Sequence, residues 1–379
     1  MNEFPILDDK KGNIPLFYPN VPSSAAKLVS HVLKGRWIGQ GPLVDEFEEQ
    51  FEEKFGVSNK SFLAVNSGTS ALHLGYLLAG IIPGDEVICP VFTCTATNLA
   101  LLYIGAVPKF YDVNKENLNA SLKDIEKLIT KKTKAIVTVD YGGLPNDYKQ
   151  IRDIIDNKNI RLIADLAHCI DGKIYEKSIL EYVDFAIFSF QAIKTLTTAD
   201  GGMLVCPSSL KKKAKRLRWF GIDRERKQQG IWENDIYELG YKYQMTDVAA
   251  AIGIAGLSEL NKTLRYRKRI FNQYLNNLQK SGLISLLEAT QSQHCEFTPW
   301  LATINCKGKR VEIMNKLREI NVESAQVHYR NDRYSIFKKY VDRDFPNMDL
   351  IEDDYLVLPL HHKMTLRDVD KITRAILQY

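Results

Sequence analysis

The chain lacks several signatures that would narrow its role at once. None of its cysteines, Cys89, Cys94, Cys169, Cys206, Cys295 and Cys306, pair at Cys-x-x-Cys spacing, so neither a zinc site nor a redox motif is signalled. Three of them lie in or beside apolar strands and read as small core residues. No apolar run reaches membrane-spanning length. The stretch Met1-Asn2-Glu3-Phe4-Pro5 has neither the basic start nor the apolar core of a secretory signal. A reducing, cytoplasmic setting without membrane or metal is the expectation. Charge of one sign is also missing: 51 Lys and Arg stand against 46 Asp and Glu, a net +5. That balance does not indicate a nucleic-acid binder. The one basic run, Lys211-Lys212-Lys213-Ala214-Lys215-Arg216, reads as a solvated helix face. No Gly-x-Gly-x-x-Gly follows the first apolar strand, which argues against a dinucleotide-binding oxidoreductase, and no Walker loop is present. Internal repeats and low-complexity segments are absent.

What the chain has is bulk and alternation. Its 379 residues, 45% hydrophobic, suffice for a large core and suggest two domains, 1–250 and 251–379. Residues 1–25 read as irregular, with Pro5, Pro15, Pro19 and Pro22. Helices are predicted over 24–34, with Gly35 as C-cap, and over 43–55. Apolar strands then recur at 62–65, 86–89, 108–112, 135–139, 161–165, 185–189 and 203–206. Helical patterns over 70–78, 95–104, 122–129 and 147–155 fill most of the gaps. Strand and helix in turn predict an α/β domain with a mostly parallel sheet. Further on, Thr246 caps a helix expected over 247–254. A second helix is expected over 259–280, stopped by Gly282. The remainder mixes strands and helices in a smaller domain.

In parallel sheets ligands sit beyond the carboxyl ends of the strands, so the residues there matter most. After the first strand comes Asn66-Ser67-Gly68-Thr69-Ser70. It is either a phosphate cradle at a helix N-terminus or an ordinary N-cap. The turn Pro90-Val91-Phe92-Thr93-Cys94 either faces a planar ligand or simply caps. Asp165 ends an apolar strand, where a carboxylate is costly unless paired, and His168 follows three residues on. Lys194 lies just past the strand ending at Ser189. Desolvation there would lower its pKa and suit it to Schiff-base chemistry, whereas in the open it is a solvated loop lysine. His328, His361 and His362 sit in loop-like stretches and read as surface or packing histidines. The segment 206–245, basic and aromatic, reads as a functional or mobile loop.

A Gly-Thr-Ser helix start, the Asp165/His168 strand end, Ser189 and Lys194 are together what a pyridoxal phosphate (PLP) enzyme needs. With them go Trp37-Ile38-Gly39-Gln40-Gly41-Pro42, Pro83-Gly84-Asp85-Glu86-Val87-Ile88, Phe92-Thr93 and Tyr241-Lys242-Tyr243-Gln244-Met245-Thr246-Asp247. In these ordered matches, from about residue 14 to the C-terminus, the sequence resembles the DegT/DnrJ/EryC1/StrS family of sugar aminotransferases.

The resemblance implies the aspartate aminotransferase-like, type I PLP fold. That fold has a large domain with a mostly parallel seven-stranded sheet and a smaller C-terminal α+β domain. It implies that Lys194 bears the cofactor and moves the proton, that Asp165 pairs with the pyridine nitrogen, and that His168 reaches the ring hydroxyl. Gly68, Thr69, Ser70 and Ser189 would hold the phosphate. It further implies a homodimer with shared active sites, and transfer of an amino group from L-glutamate to a nucleotide-linked keto-sugar in glycan biosynthesis. Three positions depart from the family pattern. Lys242 stands where many members have Asn and send it to the neighbour's phosphate. Cys94 replaces a ring-stacking aromatic. Ala164 replaces a Glu. Two alternatives remain at this point. One is a sugar dehydratase, in which histidine replaces the lysine in relatives; the other is a non-catalytic sensory protein of the same fold.

Overall fold

The computed structural model describes residues 12–233, 235–279, 281, 283 and 294–378. A seven-stranded sheet forms the centre. From edge to edge its strands are Lys60–Val65, Gly202–Pro207, Phe185–Ser189, Arg161–Asp165, Thr133–Val139, Glu86–Pro90 and Val107–Tyr111. The five from Phe185–Ser189 to Val107–Tyr111 run parallel; Gly202–Pro207 is antiparallel to both its neighbours. The strands are short and mostly apolar, and the inner ones are largely buried on both faces, as a sheet covered by helices on either side requires. Successive residues alternate between two cores: Leu63 and Val65 join one, Phe62 and Ala64 the other. The second core holds a cluster of rings, Phe47, Phe51, Phe188 and Phe190, with centroids 5.3–5.6 Å apart where Phe51 meets the last two.

The expected elements appear within two residues of their predicted ends, with two corrections. The segment 206–245, expected as a loop, carries helices Lys211–Arg218 and Arg224–Gln228. The two helices expected over 247–254 and 259–280 are a single helix, Asp247–Leu278, capped by the Thr246 side chain. Lys280 and Gly282, like residues 1–11 of the irregular start, lie outside the described residues. Gly253 and Gly256 do not break this helix; they let it pack closely. A Cβ on Gly253 would sit 2.8 Å from the Phe47 ring, and one on Gly256 2.5 Å from Leu196. The helix passes residue 250 unbroken. Its first half packs with Val44 and Phe47, and its second half, through Ile270, Phe271 and Tyr274, with Val369, Ile372 and Ile376.

Near the C-terminus, strands Ala302–Asn305 and Tyr355–Leu358 pair antiparallel, flanked by helices Arg310–Glu319 and Leu366–Leu377. Between them the chain returns to the large sheet. Asn331 Nδ2 donates to the Thr93 carbonyl at 2.9 Å, the Asn347 N–H donates to Asp112 at 2.8 Å, and Phe337 and Phe345 pack against Phe110. This return carries His328 to the strand ends. The basic run lies on helix Lys211–Arg218, where Lys213, Lys215 and Arg216 pair with Glu238 and Glu225 at the surface. Cys89, Cys94, Cys169, Cys206 and Cys306 are free thiols, and among the described residues no cluster of metal-ligating side chains occurs and no helix is long and apolar enough to cross a membrane.

Candidate active site

Asp165 closes its strand with its carboxylate buried. Thr97 Oγ1 donates to Oδ2 at 2.8 Å and the Ala167 N–H donates to Oδ1 at 3.0 Å. Burial pushes its pKa up; the Thr97 bond, the Ala167 N–H and the charge of Lys194 pull it back. Thr97 belongs to the helix Thr95–Tyr103 and is itself 3.0 Å from the Thr93 hydroxyl.

Lys194 sits on the loop that joins the Phe185–Ser189 and Gly202–Pro207 strands. Its amine lies 3.7 Å from the centroid of a Trp300 ring. Burial lowers its pKa to about 8, opposed by the charges of Asp165 and Cys94. His168 is buried, stacked on Trp300 with centroids 3.9 Å apart. Its Nε2 is 3.3 Å from Nε2 of His328. Burial, and then the Lys194 charge, hold both imidazoles neutral, with His328 pushed down to about 3. The four ionisable side chains Lys194, Asp165, His168 and His328 thus converge beyond the strand ends.

The turn after the first strand enters helix Gly68–Leu78. Ser67 is its N-cap, accepting the Ser70 N–H at 3.0 Å, so the capping reading holds for Ser67. The Ser70 hydroxyl donates to Asn66 Oδ1 at 2.6 Å. Thr69 is half-buried in the first turn. A Cβ on Gly68 would approach the Ser189 side chain to 2.9 Å, so only glycine lets Ser189 lie directly against the helix N-terminus. Cys94 is exposed and precedes helix Thr95–Tyr103. Lys242 is exposed as well. Its carbonyl accepts from Asn66 Nδ2 at 3.2 Å, while its amine lies 5.4 Å from the Phe220 ring centroid. The chain at Lys242 therefore borders the helix start, but its amine turns towards Phe220.

Sequence reasoning assigned no role to Thr97 or Trp300, and it favoured a surface or packing histidine at His328 over one facing the cleft. Thr97 carried a signal: a hydroxyl early in the helix that follows the end of the Glu86–Pro90 strand. Trp300 carried none, because its contacts with His168 and Lys194 span more than a hundred residues.

A lysine and an aspartate buried together at the strand ends of this sheet, beside a glycine-opened helix start, define a PLP-dependent aminotransferase of type I fold. The chain belongs to the DegT/DnrJ/EryC1/StrS aminotransferase family, which matches residues 20–377. It is 33% identical over 320 residues to GDP-perosamine synthase of Escherichia coli O157:H7, covering 83% of this chain and 85% of that protein. Its fold is similar to that of AtS13 from Actinomadura melliaura, with a TM-score of 0.91, 29% identity and coverage of 98% and 100% of the two chains. It is also similar to Spr1654 from Streptococcus pneumoniae, solved in a PMP form, with a TM-score of 0.90, 26% identity and coverage of 97% and 98%. The same protein is also solved in a PLP form, and PLP is the cofactor of this family.

Proposed function

We propose that the enzyme moves an amino group from L-glutamate to a nucleotide-linked keto-sugar. The observation that carries this reading is the burial of Lys194 and Asp165 at the strand ends, near enough that each shifts the other's pKa. The 33% identity to a protein named GDP-perosamine synthase supports a nucleotide-linked acceptor. Glutamate as donor, the homodimer with shared sites, the cytoplasmic setting, the role in glycan biosynthesis and the division at residue 250 belong to the same proposal.

The residues fit PLP. A buried carboxylate that hydrogen bonds from Thr97 and Ala167 hold towards its charged form, against burial, suits a protonated pyridine nitrogen. The free N–H groups at the start of helix Gly68–Leu78, with the Ser189 side chain set against Gly68, suit a phosphate at a helix N-terminus. Asp165 would hold the ring nitrogen, His168 the ring hydroxyl, and Gly68, Thr69, Ser70 and Ser189 the phosphate. Cys94 would lie beside the ring, and Lys242 would serve the partner's phosphate. When bound, PLP supplies an aldehyde that condenses with amines and a ring that takes up electrons.

The protein's own part is then proton transfer and orientation. Lys194, lowered to about 8 by burial, has a neutral fraction near neutral pH and can take and return the proton at the substrate carbon. Asp165 stays in place through Thr97 and Ala167. His168 and His328 stay neutral and add no charge beside the amine.

The test is a visible absorption spectrum of the protein with PLP, before and after L-glutamate. Bleaching of the cofactor band with release of 2-oxoglutarate is expected, followed by amination of a keto-sugar nucleotide. Lys194→Ala should abolish turnover; full activity in that variant, or a band indifferent to glutamate, would sink the reading.

A further inference from the structure

We propose that Trp300 is a positioning residue for Lys194, holding its ammonium against the indole whenever that amine is not bonded to the cofactor. The proposal rests on the reading of Lys194 as the cofactor-bearing lysine.

The amine lies 3.7 Å from a ring centroid of Trp300. That is well inside the roughly 6 Å over which an aromatic face attracts a cation. Trp300 is itself fixed from several sides. Its Nε1–H donates at 3.0 Å to the carbonyl of Ile193, the residue before the lysine. Its backbone N–H donates to the Gly142 carbonyl at 2.8 Å, and its own carbonyl accepts from Arg267 Nη2 at 2.9 Å. Its ring stacks on His168 and on Phe17, the latter at 5.5 Å and 16°. The indole is therefore tied to the lysine loop twice, once at the backbone and once at the amine.

The ionisable groups facing the amine are Asp165, Cys94, His168 and His328. The two histidines are neutral and offer no anion. Among the described residues Asp165 forms no ion pair with Lys194 within 4.0 Å, so its charge acts from further off. The aromatic face is the nearest support for the positive charge. It suits a lysine that must wait close by and then give up its proton, because a ring attracts the ammonium without accepting a directed hydrogen bond from it.

The experiment is competitive acetylation of the cofactor-free full chain across pH, read at Lys194 by peptide mass spectrometry. In Trp300→Leu the loss of the ring should lower the Lys194 midpoint by on the order of half to one pH unit. Trp300→Phe should fall between, since it keeps a face but loses the Ile193 bond. A passive packing role predicts the opposite sign, because water entering the gap would favour the ammonium and raise the midpoint. An unchanged or raised midpoint in Trp300→Leu overturns the proposal. If that variant does not fold, an unchanged midpoint in Trp300→Phe does so. A wild-type protein that never forms a cofactor band would overturn the functional reading instead, whatever the labelling shows.

Discussion

The Nε2 atoms of His168 and His328 lie 3.3 Å apart, and their rings are parallel to within 4°. Only one of the two can carry a proton at that contact. The Gly142 N–H donates to Nδ1 of His168 at 3.4 Å, which places the His168 proton on Nε2 and makes His328 the acceptor. A neutral pair satisfies every bond in this set, and charging either ring would set two donors face to face beside Lys194.

Acid stability follows with a definite sign. Burial lowers His328 to about 3, whereas in the unfolded chain it titrates near the ordinary value of about 6.5. Unfolding therefore takes up a proton in that window. The contribution is fully present above the unfolded pKa and is lost as pH falls towards the folded one. His328→Gln should flatten the fall in stability between about pH 6 and 4 by up to one proton, about 1.4 kcal/mol per pH unit. Urea unfolding across that range measures it; parallel slopes for wild type and variant would refute it.

Thr97 is the clearest test of how Asp165 is kept charged. Thr97→Val preserves shape but removes the 2.8 Å bond to Oδ2, which opposes the upward push of burial. A hydrogen bond to a charged group contributes about 1.5–3 kcal/mol. If Asp165 acts through its charge on the cofactor, PLP affinity should fall by about tenfold to a hundredfold. Titration of the apoprotein with PLP reads this directly, and wild-type affinity in the variant would mean that Asp165 does not depend on Thr97.

The strands of the large sheet were legible because each is a mostly apolar run of five to seven residues, and Lys194, Asp165 and the Gly68 turn were legible because they follow or close those runs. The split in helix Asp247–Leu278 was misread for a physical reason. Gly256 stands in the gap between the two predicted helices and looks like a break in sequence, yet it is there because Leu196 leaves no room for a Cβ. His328 and Trp300 were hidden differently. Their roles arise from contacts with His168, 160 residues from His328, and no local pattern encodes such a meeting. The residues that carry the chemistry stand in local motifs, whereas the residues that hold them in place do not.

Gly68→Ala should separate the cofactor site from the fold. The new methyl would meet the Ser189 Cβ at 2.9 Å and Oγ at 3.1 Å, while the first helical turn itself tolerates alanine. The apoprotein should lose no more than about 1–3 kcal/mol from overpacking. PLP affinity should drop by about tenfold or more, because the methyl would displace Ser189, which is assigned to the phosphate. Thermal melts alongside a PLP titration distinguish the two effects; unaltered affinity would place the phosphate elsewhere.

The buried pair Arg218–Glu48 anchors the strand that leads into the Gly68 turn. Arg218 Nη1 donates to Glu48 Oε1 and, at 2.7 Å, to the Ala64 carbonyl, while Glu48 Oε1 also accepts the Ala64 N–H at 2.8 Å. Both side chains are almost wholly buried. Arg218→Met should therefore cost about 3–5 kcal/mol, since it leaves a buried carboxylate without its partner. Adding Glu48→Leu removes the stranded charge and should recover most of that loss, because the desolvation of two ions is avoided together with their attraction. A double-mutant cycle by urea unfolding measures the coupling. Independent, additive losses from the two substitutions would mean that Ala64 is held by its strand neighbours alone and that the ion pair contributes nothing specific to the position of the turn.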